Sequence, residues 1–109
     1  MTNKRRKGPG IRDRIVELRR VRAGDLAPDA RNWRRHPASQ RAALQGVLHE
    51  IGYAGALLAR ETPDGLVLID GHLRAELDPN QVVPVLVVDL DEEEAGKLLA
   101  TLDPLAAMA

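Results

Sequence analysis

One stretch constrains the fold more than any other: Leu66-Val67-Leu68-Ile69-Asp70-Gly71-His72-Leu73-Arg74-Ala75-Glu76-Leu77. Four consecutive aliphatic residues read as a buried strand. Asp70-Gly71 ends the run, and Ala75, Glu76 and Leu77 are good helix formers. A buried strand that passes through a glycine turn into a helix demands a layered structure of strands and helices. The helix start it creates is also a natural anion site, because its first N–H groups are unpaired and carry partial positive charge. His72 and Arg74 stand at that corner. The same pattern also serves, with nothing bound, as a plain strand–turn–helix.

The material for a core is aliphatic. Of 109 residues 44% are hydrophobic but only 2% aromatic, namely Trp33 and Tyr53. One domain with one modest core is the limit at this length. A stacking platform for single-stranded nucleic acid is excluded for want of rings. With no cysteine there is no disulfide, thiolate metal site or cysteine chemistry. No apolar run reaches the length of a membrane span, and the basic N-terminus lacks the apolar segment of a secretory signal. A cytoplasmic protein with no membrane partner is expected.

A net charge of zero hides a polarity. Residues 1–41 hold 13 Lys/Arg against 4 Asp/Glu, and residues 42–109 hold 3 against 12, so the halves carry +9 and −9. Either the basic half meets a polyanion or the two halves offset one another as solvated pairs. Residues 1–13 are expected to form a flexible basic arm, with Lys4, Arg5, Arg6 and Lys7 ahead of the breaker Gly8-Pro9-Gly10. Those four side chains are candidate DNA-backbone contacts, and the bland alternative is a solubilising terminus.

The rest reads in order. Ile15 to Val21 is a first strand crowded by arginines, whose stems can lie along apolar surface. Ala23 to Ala30 is turn-like, with Leu26 pinned to the core. Arg31-Asn32-Trp33-Arg34-Arg35-His36-Pro37 is a dense basic loop, and arginine forks suit phosphate oxygens. Ser39 to Ile51 is a helix with Leu44, Val47, Leu48 and Ile51 in one stripe, Ser39 as its N-cap and Gly52 as its C-terminal stop. His49 falls on its exposed flank. Ala56 to Ala59 and Leu66 to Ile69 make a hairpin around Thr62-Pro63-Asp64-Gly65. Gly71 to Leu77 is a short helix. Val82 to Leu90 is a long strand in which Pro84 favours an edge or a starting position. Asp91 and Glu94 form a capping box for a last helix with Leu98, Leu99 and Leu102 in its stripe, so the acidic run is helix punctuation rather than a metal site. Asp103-Pro104 stops that helix, and residues 105–109 are an apolar tail. The order β, loop, α, β, β, α, β, α describes a small α+β domain with a mixed sheet of about four strands and three to four helices.

Three of these segments, in this order, resemble the ParB/sulfiredoxin superfamily and specifically its ParB-like N-terminal domain, also labelled the ParB-like nuclease domain. Asp25-Leu26-Ala27-Pro28 followed by Asn32-Trp33-Arg34-Arg35-His36-Pro37 is similar to the family's first motif. The helix Gln40 to Ile51 with Gly52-Tyr53 matches its helix ending in glycine and an aromatic. Ile69-Asp70-Gly71-His72-Leu73-Arg74-Ala75-Glu76 is similar to the family's "I-D-G-H-x-R-x-E", and Val83-Pro84-Val85 with Asp91-Glu92-Glu93-Glu94-Ala95 continues the match. The resemblance spans residues 14–104.

It implies a pocket for a nucleoside triphosphate, CTP or ATP, with Mg²⁺. Gly71 would allow close backbone approach, Arg74 would bind phosphate, His72 could donate to a phosphate oxygen, and Arg34 and His36 would close the pocket from the other loop. It also implies a DNA-associated regulatory or accessory module of phage or mobile-element type, with a homodimer as a further expectation. An enzyme of the same fold is the alternative, either a nuclease or a serine kinase-like phosphotransferase, for which Asp29 is the nearby carboxylate. His72 stands where sulfiredoxin has its reactive cysteine, which rules out sulfinic acid reduction. Chromosome-partitioning ParB has Gly-Glu-Arg-Arg at this corner, where this chain reads Gly71-His72-Leu73-Arg74.

Overall fold

A computed structural model describes residues 10–29 and 37–102. Among these residues four strands form one sheet: β1 (Ile15–Arg22), β2 (Leu57–Thr62), β3 (Gly65–Asp70) and β4 (Val82–Val88). Their spatial order is β1-β4-β2-β3. β1 runs antiparallel to β4, and β2 antiparallel to β3, while β2 and β4 pair in parallel at the centre. Three α-helices, α1 (Ala38–Ile51), α2 (His72–Leu77) and α3 (Glu92–Leu102), complete a small α+β domain with a mixed sheet.

Strand alternation sorts the core into two layers. On one face Leu57, Ala59, Leu66, Leu68, Val83, Val85 and Val87 pack with Ala23 and Leu26, and Val21, Tyr53 and Ala75 close over them. On the other, Ile69 and Val88 meet Ala95 of α3, with Leu58, Leu90 and Leu99 around them. A 3-10 turn at Ala23–Asp25 follows β1. Ala23 N–H donates to the Gln81 carbonyl at 2.9 Å and Gly24 N–H to that of Pro79 at 2.8 Å, so the turn is stitched to the connection between α2 and β4. The next residues run along the outer side of β3: Ala27 N–H donates to Leu66 O at 3.0 Å, and Leu68 N–H to Ala27 O at 2.7 Å.

Several sequence expectations hold and some are corrected. α1 is not capped by Ser39: its N-cap is Pro37, with no side-chain cap, and the Gln40 and Arg41 N–H groups donate to the Pro37 carbonyl at 3.0 and 3.1 Å. Proline supplies the extended backbone a cap requires, and Ser39 falls inside the first turn. β2 begins at Leu57 rather than Ala56 and runs on to Thr62. Its polar second half stays paired with β3 down to the tight turn, where Thr62 Oγ1 donates to Gly65 O at 2.8 Å. β4 ends at Val88 rather than Leu90, and it is a central strand. Pro84 is tolerated there because β2 comes alongside only from Val85 onward, which leaves β1 as the single neighbour at Pro84. The capping box of α3 is as expected: Glu94 N–H donates to Asp91 Oδ1 at 2.8 Å, and Asp91 N–H to Glu94 Oε1 at 2.9 Å.

Candidate functional site

The corner between β3 and α2 is built from the inside outward. β3 is anchored by Leu66, Leu68 and Ile69, all buried, so Asp70 delivers the chain to a fixed point. Gly71 turns it with φ 100° and ψ 22° in the left-handed region, which favours glycine. A second constraint is steric. A Cβ at position 71 would lie 2.7 Å from Cγ of Leu57 and 3.2 Å from Nη2 of Arg74. Glycine thus lets the turn close onto the buried start of β2, and the Arg74 guanidinium folds back over the same turn.

His72 is buried, 8% exposed, at the first position of α2. Its Nε2 accepts a hydrogen bond from the backbone N–H of Asp29 at 3.1 Å. An accepting Nε2 carries no proton, so the neutral ring has its proton on Nδ1. The imidazole therefore ties the corner to the segment that precedes the basic loop. Asp29 is itself 4% exposed. Hydrophobic periodicity carries no signal for this bond, since it joins two segments far apart in sequence.

Gly71, His72 and Arg74 are thus brought together, with Asp29 beside them. Arg34 and His36, and the basic-arm residues Lys4, Arg5, Arg6 and Lys7, lie outside the described residues. A separate groove of about 300 Å³ opens at the other end of α2, between the C-terminal turns of α1 and α2, where Gln45, His49, Tyr53, Asp78 and Gln81 offer polar groups. None of the described site residues singled out from sequence lines it. Among the described residues no group of three His, Cys, Asp or Glu gathers to hold a metal ion.

No family model matches the sequence, and no curated protein does. Solved structures do. The chain is similar to the C-terminally truncated chromosome-partitioning protein ParB from Caulobacter crescentus, complexed with CTP-γ-S, with a TM-score of 0.66 at 19% identity over 81% of this chain. It is also similar to a Pnob8-like ParB-N domain, with a TM-score of 0.59 at 25% identity, again over 81% of this chain. The fold is that of a ParB N-terminal domain. This ParB-like domain spans 53% and 39% of the lengths of those two chains. In it, the glycine corner sits at the junction of the sheet and α2.

Proposed function

We propose that this ParB-like domain binds a nucleoside triphosphate, CTP or ATP, at the Gly71–Arg74 corner, and works as a DNA-associated regulatory or accessory module of phage or mobile-element type. The observation that carries the reading is the packing of Gly71. Its left-handed turn is seated on Leu57, and the Arg74 guanidinium lies against that turn at the strand end. An arginine fork beside a bare backbone turn is phosphate-binding chemistry. The similar Caulobacter crescentus structure holds CTP-γ-S, which supports the choice of ligand class. His72 positions the segment leading to Arg34 and His36, which would close the site. Mg²⁺ would arrive with the triphosphate, since its coordination there would rest largely on phosphate oxygens and water.

Titration calorimetry with CTP, ATP and GTP in the presence of Mg²⁺ tests this. One of the three is expected to bind, and Arg74→Ala is expected to abolish its heat while the far-UV spectrum stays unchanged. Folded protein that gives no heat with any nucleotide would sink the proposal. An enzymatic reading has one observation in its favour, the buried Asp29 beside His72. Release of ADP with small hydroxyl acceptors, lost in Asp29→Asn, would mark a phosphotransferase, and nicking of plasmid DNA would mark a nuclease.

A further inference from the structure

β1 is an edge of the sheet, and among the described residues no strand pairs with its outer side. An open edge is a template for one more strand. Its side chains define what that strand would be. Ile15, Val16 and Leu18 are 50%, 51% and 50% exposed, a strip of aliphatic surface on an element otherwise rich in charge. Leu18 shares its face with its register partner Leu86, which is half-buried.

The charge on the edge is one-sided. Arg12, Arg14, Arg19, Arg20 and Arg22 stand against Asp13 and Glu17. Arg14 is held by Glu94, and Arg19 by Glu17 and Glu61. Arg20 and Arg22 are exposed and make no ion pair among the described residues. By strand alternation they lie on the same face as Leu18.

This combination selects the occupant. A second copy of β1 would set one positive strand against another, and like charges directly opposed are unfavourable. The chain's own N-terminal residues, with Lys4, Arg5, Arg6 and Lys7, are of the same sign. A nucleic acid backbone would use the arginines and leave the aliphatic strip and the backbone edge without a role. We propose that the β1 edge docks an extended segment of a partner protein as a fifth strand, a segment whose β1-facing row carries carboxylates at one end and aliphatic side chains at the other. Carboxylates would meet Arg20 and Arg22, aliphatic side chains would cover Ile15, Val16 and Leu18, and the backbones would share hydrogen bonds.

Fluorescence anisotropy with a labelled Glu-Thr-Glu-Thr-Val-Thr-Val-Thr peptide, which carries its carboxylates and valines on one face, tests this on the intact chain. Saturable binding is expected, with amide NMR shifts concentrated in residues 15–22. The exposed double variant Arg20→Glu, Arg22→Glu should weaken it about tenfold, with an unchanged circular dichroism spectrum. N-methylating alternate amides of the peptide keeps its charge but removes its strand hydrogen bonds, and this should abolish binding. Equal binding of the N-methylated peptide would overturn the proposal, as would shifts centred on the Gly71 corner or no binding at all. Duplex DNA that binds through Arg20 and Arg22 where the peptide does not, or self-association lost in the same double variant, would also overturn it.

Discussion

Gly71 is the residue on which the candidate site depends most. Substitution by alanine adds a methyl group 2.7 Å from Leu57 Cγ and forces a side chain into the left-handed region. The two penalties together come to roughly 2–5 kcal/mol, to be read as a lowered urea midpoint. Gly71→Ala in a Leu57→Ala background should recover part of the steric share, and a fully additive double variant would show that the two do not collide. Arg60 behaves oppositely. Its Nε is buried with no hydrogen-bond partner among the described residues, and such a group costs about 1–3 kcal/mol. Arg60→Met keeps most of the stem packing and is expected to leave stability unchanged or raise it; a clear loss of stability would mean the guanidinium has a stabilising role. Gly71 was legible in the sequence because a strand, a glycine and helix formers follow one another. Its approach to Leu57, the His72–Asp29 bond and the buried Arg60 Nε were not, because each arises where segments distant in sequence meet.

At the scale of elements, α3 and the start of β1 are locked by one ion pair. Arg14 donates to both carboxylate oxygens of Glu94 at 3.1 Å, and it also donates to the Asp89 carbonyl. The Arg14 hydrogen bonds, followed by the Asp91 N–H, hold the Glu94 carboxyl at about 2, down from 4.5. A folded-state value below the unfolded one means that the contribution is complete above about pH 4.5 and fades as the pH falls toward about 2. Urea midpoints measured across that window should decline in the native protein, and Glu94→Gln should flatten that part of the decline. α1 is a looser element. The stripe Leu44, Val47, Leu48 and Ile51 was readable from its spacing, yet no residue of the helix is fully buried, and Val47 and Ile51 are 49% and 68% exposed. Periodicity reports which face turns inward; it does not report how closely the neighbour approaches, and here α1 packs chiefly on the short α2. Ile51→Ala should accordingly cost under about 1 kcal/mol, where Leu57→Ala, at a fully buried site, should cost about 2–5 kcal/mol.

For the whole molecule, nucleotide binding and charge polarity have separate readouts. A ligand that binds only the native state, at roughly 100 times its Kd, adds about 2.7 kcal/mol, which appears as a Tm rise of several degrees. If the basic half of the chain meets DNA, affinity should fall steeply with salt, and removal of residues 1–9 should flatten the log–log slope by about 0.9 for each phosphate no longer neutralised. A salt-independent affinity would remove that role. The order of elements was legible at this scale, as was the resemblance carried by three ordered motifs; the position of β4 at the centre was not, since Pro84 speaks against it until the offset start of β2 is seen. That central position also sets a timetable. β2 and β3 are neighbours along the chain and can pair as soon as both exist, whereas β1 must wait for β4, almost at the other end. On a ribosome β1 emerges first and is matched last, and in a refolding experiment it should join after the rate-limiting barrier. Val21→Ala is then expected to speed unfolding and leave the folding rate nearly untouched, so the strand made earliest would be the one whose arrival closes the molecule.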